Sequence, residues 1–267
     1  MVAIKYEGIK YTAKANTATE DQLIVEEALQ ININGSPFSV IMQTPGSEKE
    51  LTLGLLYSED IARKSPSNYQ LEPSEMNELG HITTMNVIAD TADLGEGYKN
   101  SRALLSVSSC GICGKRELGD LKVTGAKLVN GEPIAINQLQ NMFSKMRSNQ
   151  GEFSQTGGSH AAALFSRQGE LLALQEDVGR HNAVDKAVGT LLLKGFLSDA
   201  HYLLVSGRIS YEIVTKAFVA KTPVLAAVSA PSSLAVDYAK EFGITLLGFC
   251  REERATCYAN PSGLHSL

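Results

Sequence analysis

Residues 202–228 read YLLVSGRISYEIVTKAFVAKTPVLAAV, and this stretch decides the fold class. The apolar runs at 202–205 and 224–228 have the length of buried strands. The apolar spacing between them predicts a helix over residues 211–221. Because strands that alternate with helices form βαβ units, this stretch predicts a layered α/β sheet.

The same alternation continues on both sides of this stretch, so we predict an α/β domain over residues 136–267. Its helical opening segment begins behind Asn137 and stops near Gly151. Two adjacent strands joined at Gln168-Gly169 come next. The predicted elements outside 202–228 are strands at 161–165 and 170–174, a helix at 183–193, a helix at 234–242 and a strand at 244–247.

The N-terminal part, residues 1–135, is predicted to be a smaller domain of mixed α+β structure. Asn34-Gly35 is a turn signal between two strand-like runs, which predicts a hairpin. Ser47 and Glu50 have the spacing of a capping box, so a helix should begin there. The other elements predicted here are a strand at 23–33, a surface loop at 58–80, strands at 81–89 and 103–107, and a mobile loop at 108–115 that ends the domain.

The composition and charge of the chain exclude several classes of protein. Its 267 residues are 43% hydrophobic, which is typical of a globular protein rather than a disordered or fibrous one. A formal net charge of −5 argues against a surface for nucleic acid or anionic membranes. Charged residues interrupt the start of the chain, and no later stretch has the length of a membrane span. The 4 cysteines are too few for a secreted disulfide scaffold, so we expect a cytoplasmic protein.

The sharpest chemical motif is the pair Cys110 and Cys113, separated by Gly-Ile. The glycines around the pair favour an exposed loop, and Lys115 favours a thiolate, the nucleophile that sulfur transfer requires. Two other interpretations stay open on the motif alone. One is half of a zinc site, although Cys250 and Cys257 lack the spacing of a second half. The other is a redox dithiol of the thioredoxin type.

His160 follows a glycine-rich turn and begins a predicted strand. Zinc nucleobase deaminases carry a His-x-Glu motif ahead of a Cys-x-x-Cys pair. Here the residue two positions after His160 is Ala162, and the Cys-x-x-Cys pair lies upstream. The sequence therefore lacks deaminase chemistry, and the alternative for His160 is a hydrogen-bonded histidine at a strand edge.

Three segments fall where the α/β pattern places loops after strands: 206–210, 229–233 and 248–254. Ligands of open α/β sheets bind at the carboxyl ends of strands, where helix N-termini can hold an anion. Arg208, Arg251 and Arg254 add positive charge, so these loops predict a cleft for an anionic ligand. Arg180 and His181, before another helix, fit a functional role and a capped helix start equally well.

Five blocks, taken together, resemble the formate dehydrogenase accessory sulfurtransferase family of the FdhD type. They follow one another from residue 108 to residue 254, and with the N-terminal hairpin the resemblance covers essentially the whole chain. One block alone is weak, whereas the ordered set is specific. The blocks are Ser108-Ser109-Cys110-Gly111-Ile112-Cys113-Gly114-Lys115, Thr156-Gly157-Gly158-Ser159-His160-Ala161, Glu176-Asp177-Val178-Gly179-Arg180-His181-Asn182-Ala183-Val184-Asp185-Lys186, Ser206-Gly207-Arg208-Ile209-Ser210-Tyr211-Glu212 and Gly248-Phe249-Cys250-Arg251.

The resemblance implies a sulfur carrier. A cysteine desulfurase would load a persulfide onto Cys110, and Cys113 would be a relay or resolving thiol. The sulfur would pass to a molybdenum (or tungsten) bis-guanine-dinucleotide cofactor, for which a guanine nucleotide is a mimic, before insertion into formate dehydrogenase. The implied cofactor-binding residues are Phe249, Cys250, Arg251, Glu252, Glu253 and Arg254, with Arg208 and His160 as further candidates.

The resemblance also implies a fold and an assembly. The C-terminal domain would be cytidine-deaminase-like without the zinc site, and the chain would form a homodimer with no metal of its own. Two rival functions stay open: a non-catalytic chaperone for the molybdenum cofactor, and a zinc-dependent hydrolase that uses Cys110, Cys113 and His160.

Overall fold

The computed structural model describes residues 2–101, 106–107, 125–129, 133–251 and 254–260. These residues form three sheets, of two, five and six strands. None of the helices in these ranges is long and apolar enough to cross a bilayer. The mixed α/β class predicted from the sequence is confirmed.

The two-stranded sheet is an N-terminal hairpin of β1 (Ala3–Tyr11) and β2 (Asn16–Ile24). It was not predicted from the sequence: both of its faces are largely exposed, so burial does not impose one continuous apolar face on the two strands. The strand predicted over residues 23–33 is confirmed from Glu27 to Ile33 and wrong before that, since β2 ends at Ile24 and the next strand begins at Glu27.

The five-stranded sheet has the order β5-β6-β3-β4-β7, and helix α1 (Glu48–Ser58) packs on it. Asn34 and Gly35 have φ angles of +49° and +77°, which confirms the predicted tight hairpin turn. The loop predicted at 58–80 is wrong in part, because the polar, exposed strand β5 lies within it. The strands are β3 (Glu27–Ile33), β4 (Ser36–Gln43), β5 (Gln70–Met76), β6 (Ile82–Ile88) and β7 (Ser106–Val107), with the short helix α2 (Glu96–Ser101) between the last two.

The six-stranded sheet has the order β13-β12-β11-β10-β8-β9, with β10, β11 and β12 parallel. Alternate side chains of its strands enter two apolar clusters, one against helices α5, α6 and α7 and one against helix α3. The predicted layered arrangement is therefore confirmed. The elements are α3 (Ile136–Ser148), α4 (Gly151–Thr156), β8 (His160–Ser166), β9 (Leu171–Asp177), α5 (Arg180–Lys194), β10 (Ala200–Val205), α6 (Tyr211–Val219), β11 (Val224–Ala227), α7 (Ser233–Phe242), β12 (Thr245–Arg251) and β13 (Arg254–Ala259).

The loop predicted at 248–254 is wrong in its first half. Strand β12 runs on to Arg251 and pairs with an antiparallel strand, β13, that the sequence analysis missed. Gly248 and the polar residues around Arg254 interrupt the apolar pattern on which a strand prediction depends, so the end of β12 and the whole of β13 were not predicted.

Helices α1 and α5 join the two larger sheets by direct backbone contact. A Cβ atom on Gly54 would lie 1.9 Å from the carbonyl oxygen of Asp185, and one on Gly189 would lie 1.9 Å from that of Glu50. The helices can approach this closely only because both positions are glycine. Helix α1 belongs to the core of the five-stranded sheet and α5 to that of the six-stranded sheet. The predicted domain boundary after residue 135 stays a prediction.

Candidate functional site

A cavity of about 670 Å³ opens at the carboxyl edge of the parallel strands. Ser206 and Val228, which follow β10 and β11, line it together with Arg251 at the end of β12. This is the edge where open α/β sheets bind ligands. Its other lining residues are Ile136, Leu139, Gln140, Phe143, Ser144, Met146, Arg147, Gln150, Phe153, Gly157, Gly158, Ser159, His160, Cys250 and Arg254.

The cavity brings together four of the residues predicted from the sequence: His160, Cys250, Arg251 and Arg254. Arg251 also donates a hydrogen bond from Nε to the carbonyl oxygen of Val228, 3.3 Å away. This bond ties the arginine to the end of β11. A largely apolar cavity with several guanidinium groups suits an anionic ligand that also has a flat, apolar part.

One wall of the cavity comes from α3 and α4 and was not predicted from the sequence. Here the guanidinium carbon of Arg147 lies 4.5 Å from the centre of the Phe153 ring, in the geometry of a cation–π contact. The apolar spacing of α3 predicts which of its side chains are buried, but not that Arg147 meets Phe153 beyond the helix end. The only sequence signal was Phe143 and Arg147 at four-residue spacing on one helix face.

The glycine-rich turn before β8 is held in place by Glu176. Its carboxylate accepts hydrogen bonds from the backbone N–H groups of Glu152 and Phe153, at 2.9 and 2.8 Å, and from the hydroxyl of Ser159 at 2.6 Å. Glu176 therefore caps α4 and fixes the wall of the cavity at the same time. On the outer side, Ile24 of the N-terminal hairpin packs against Gly158.

His160 lies at the cavity edge among positive charges. Burial, followed by the charges of Arg180 and Arg208, lowers the pKa of its imidazole, while Asp177 opposes them. The ring packs beside Gly207, where a Cβ atom would lie 3.3 Å from Nδ1. An uncharged imidazole at neutral pH is the result. Arg208 itself is exposed and does not line the cavity.

Cys250 is a buried thiol on the cavity wall, with 5% of its surface exposed. Burial is the main cause that raises the pKa of this thiol to about 12; a hydrogen bond with the backbone of Ala227 opposes it, and the nearby Cys257 adds a smaller upward shift. At neutral pH Cys250 is therefore protonated and a poor nucleophile. Phe249, the residue before it, does not line the cavity and is 42% exposed.

The block from Glu176 to Lys186 builds the scaffold rather than the cavity surface. Oδ2 of Asp177 lies 2.7 Å from Nζ of Lys186 and accepts a hydrogen bond from the N–H of Thr44. Its Oδ1 accepts from Nδ2 of Asn182, which also donates to the carbonyl oxygen of Met42. These bonds anchor the end of β4 to α5.

Arg180 and His181, which the sequence left open between a functional role and a capped helix start, lie at the N-terminus of α5. Nε2 of His181 lies 3.2 Å from Oγ of Ser210, so this ring bridges α5 and the start of α6. Nε of Arg180 is buried without a hydrogen-bond partner among the described residues, and its charge acts on His160.

The predicted residues Cys110, Cys113, Glu252 and Glu253 lie outside the described residues. The chain before the cysteine motif pairs with β4 through β7. After the motif, the described residues resume at Gly125, which contacts the ring of Phe218 in α6, beside the six-stranded sheet. Among the described residues, no group of three histidine, cysteine or acidic side chains could hold a metal ion.

Residues 24–265 match the sequence profile of the FdhD/NarQ family. This chain belongs to the FdhD/NarQ family. The family resemblance inferred from the five sequence blocks is thereby confirmed. The match begins at Ile24, so most of the β1–β2 hairpin precedes it.

Several FdhD/NarQ relatives match this chain over most of their length. The sulfur carrier protein FdhD of Sulfolobus acidocaldarius is 41% identical over 245 residues, which cover 91% of each chain. That of Mycobacterium tuberculosis is 42% identical over 250 residues, covering 89% of this chain and 90% of the relative. A crystal structure of a candidate formate dehydrogenase accessory protein from Desulfotalea psychrophila superposes with a TM-score of 0.75 at 20% identity and covers 98% of both chains. At that identity the superposition shows a shared fold.

Proposed function

We propose that this chain is a sulfur carrier that serves formate dehydrogenase in the cytoplasm. The relatives named sulfur carrier protein FdhD support the carrier role, because they match this chain over most of its length. The observation that carries the cargo assignment is the cavity that gathers Arg147, Arg251 and Arg254 around an apolar floor. A nucleotide presents the matching features, a charged pyrophosphate and a flat base.

Cys110 is proposed as the residue that carries the sulfur. Its thiolate attacks the outer sulfur of a persulfide on a cysteine desulfurase. A new S–S bond forms at Cys110 while the S–S bond of the donor breaks, and the donor cysteine leaves as a thiolate. As a relay, Cys113 would take the outer sulfur by the same displacement.

The cavity is proposed to hold the cargo, a molybdenum or tungsten bis-guanine-dinucleotide cofactor. Arg251 and Arg254 would bind its phosphates, and Arg147 with Phe153 would flank a base. Cys250, Arg251 and Arg254 supply one side of this site. Because Cys250 stays protonated, it would not compete for the persulfide sulfur.

Intact-protein and peptide mass spectrometry tests the carrier step. The chain is incubated with a cysteine desulfurase and cysteine, beside Cys110→Ala and, as a matched control, Cys257→Ala. We expect an added sulfur on the Cys110 peptide of the wild type and of the control, and none in Cys110→Ala. No added sulfur on the wild type under conditions that load a control acceptor, or activation of formate dehydrogenase by Cys110→Ala, would favour the chaperone function instead.

Calorimetric titration with GDP tests the cargo site. The double variant Arg251→Ala, Arg254→Ala should weaken GDP binding at least about tenfold, since it removes two charged donors. Arg63→Ala is the control, because Arg63 pairs with Asp60 and does not line the cavity. The same preparations test the proposed homodimer by sedimentation equilibrium.

A further inference from the structure

The hairpin of β12 and β13 contains two irregularities of opposite sense. Leu246 and Leu247 pair with Ala259 and Cys257, so β13 has one extra residue, Tyr258. Towards the cavity, Gly248 pairs with Thr256 and Arg251 with Arg254, so two residues of β12 face one residue of β13. The second irregularity is a β-bulge at Phe249 and Cys250, and it offsets the first.

Phe249 has the backbone conformation that makes this bulge. Its φ angle is +52°, in the left-handed region that residues other than glycine rarely adopt. Its N–H donates a hydrogen bond to the carbonyl oxygen of Ser229, 3.1 Å away. The centre of its ring lies 6.4 Å from that of Tyr258, the extra residue of the other strand. A strained conformation held by several contacts points to a role for that residue.

The bulge changes which side chains of β12 face the cavity. Residues three apart in a regular strand lie on opposite faces of the sheet. Leu247 and Cys250 are three apart, yet both belong to the cluster between the sheet and α3. The extra residue accounts for this, and Cys250 and Arg251 then both reach the cavity wall.

We propose that Phe249 is a positioning residue, whose left-handed backbone turns Cys250 and Arg251 into the cavity. Its ring packs on the opposite side and does not contact the ligand. The affinity consequences rest on the proposed function, in which the cavity binds a guanine nucleotide. The orientation of Cys250 does not depend on it.

Two variants separate the backbone of Phe249 from its ring. Phe249→Gly removes the ring but keeps the bulge, because glycine adopts a positive φ freely. Phe249→Val also removes the ring but disfavours the bulge, because β-branched residues avoid a positive φ. Regular pairing would then place residue 249 opposite Ala255 on the face of α3 and turn Cys250 to the other face. Deletion of Phe249 is the control for strand parity: it removes the bulge and the extra residue together, so Cys250 lies two residues after Leu247, opposite Ala255, and stays on the face of α3.

Two readouts apply to each variant: the Kd for GDP by calorimetry, and the alkylation rate of Cys250 by iodoacetamide, followed by peptide mass spectrometry. We expect Phe249→Gly to bind GDP within about threefold of the wild type, with Cys250 still protected. Phe249→Val should weaken binding about tenfold or more and speed alkylation about tenfold, whereas the deletion should leave Cys250 protected.

Each failure has a distinct meaning. Weak binding by Phe249→Gly would overturn the proposal, because the ring would then contact the ligand. Unchanged binding and unchanged alkylation in Phe249→Val would overturn it as well, and so would rapid alkylation of Cys250 in a folded deletion variant. If the wild type itself fails to bind GDP, the proposed cargo is wrong, while the alkylation of Cys250 still decides whether the bulge sets its orientation.

Discussion

Nζ of Lys186 lies 2.7 Å from Oδ2 of Asp177, and the two side chains are 2% and 0% exposed. The lysine also donates to the carbonyl oxygen of Thr44, and the aspartate accepts from the N–H of the same residue. A buried ion pair of this kind is stable because additional hydrogen bonds satisfy both groups. Thr44 follows β4, so the pair also holds the five-stranded sheet to α5.

Lys186→Met should lower the free energy of unfolding by about 3–5 kcal/mol, because it leaves the Asp177 carboxylate buried without its partner charge. Urea unfolding followed by circular dichroism measures this. The matched control is Lys5→Met, since Lys5 also lies 2.7 Å from a carboxylate, that of Glu20, but the two side chains are 65% and 55% exposed. The control should be indistinguishable from the wild type. Equal losses in both variants would contradict a special role for the buried pair.

Gly54→Ala and Gly189→Ala should each destabilise the chain by about 1–3 kcal/mol or more, because the new methyl group meets a carbonyl oxygen of the facing helix. Thermal unfolding provides the comparison. Gly151→Ala serves as the control, since a Cβ atom there has nothing within 4 Å. If alanine were tolerated equally at all three positions, the close contact of α1 and α5 would be refuted.

Glu176→Gln should cost about 1–3 kcal/mol, because an amide group can no longer accept all three hydrogen bonds that the carboxylate accepts. Ser159→Ala removes one donor and leaves the other two bonds in place, so its cost should be smaller. Chemical denaturation of the two variants ranks them. The reverse order would show that α4 does not depend on its cap.

The stability of the chain should fall as the pH drops below about 6.5, the ordinary pKa of histidine, in part because of His160. Its pKa is lower in the folded state, so the unfolded state binds the proton more readily in this window. His160→Asn should flatten this part of the pH dependence. Proton NMR titration of the imidazole gives the direct measurement, and the variant assigns the signal. A His160 signal that titrates above pH 6.5 would contradict the prediction.

Most of the six-stranded sheet could be predicted from the sequence, because continuous apolar runs alternate there with segments of helical apolar spacing. The runs around Leu203 and Leu225 are apolar throughout because both faces of those strands are covered by helices. The β1–β2 hairpin and β5 were missed because their side chains are mostly exposed, so burial does not impose a pattern on them. Strand β13 was missed for a related reason, since exposed polar residues such as Arg254 and Thr256 lie along it.

The cavity was predicted in part. Loop positions after strands predicted a cleft with Arg208, Arg251 and Arg254; Arg251 and Arg254 do line the cavity, whereas Arg208 is exposed outside it. The contact of Arg147 with Phe153 depends on how α3 and α4 cross the sheet, which local sequence does not specify. The bulge at Phe249 likewise depends on pairing with β13, a strand that was not predicted from the sequence.

The glycine contact between α1 and α5 has a consequence for how the chain unfolds. Each large sheet has its own apolar core, and each core includes one of these two helices. Because the helices contact each other through their backbones, unfolding of one core exposes the helix face that packs against the other core. The two sheets are therefore expected to melt together in one cooperative transition. A fragment of residues 136–267 alone would leave the face of α5 that meets Gly54 open to water, with Asp177 and Asn182 deprived of the backbone groups they hold in the intact chain.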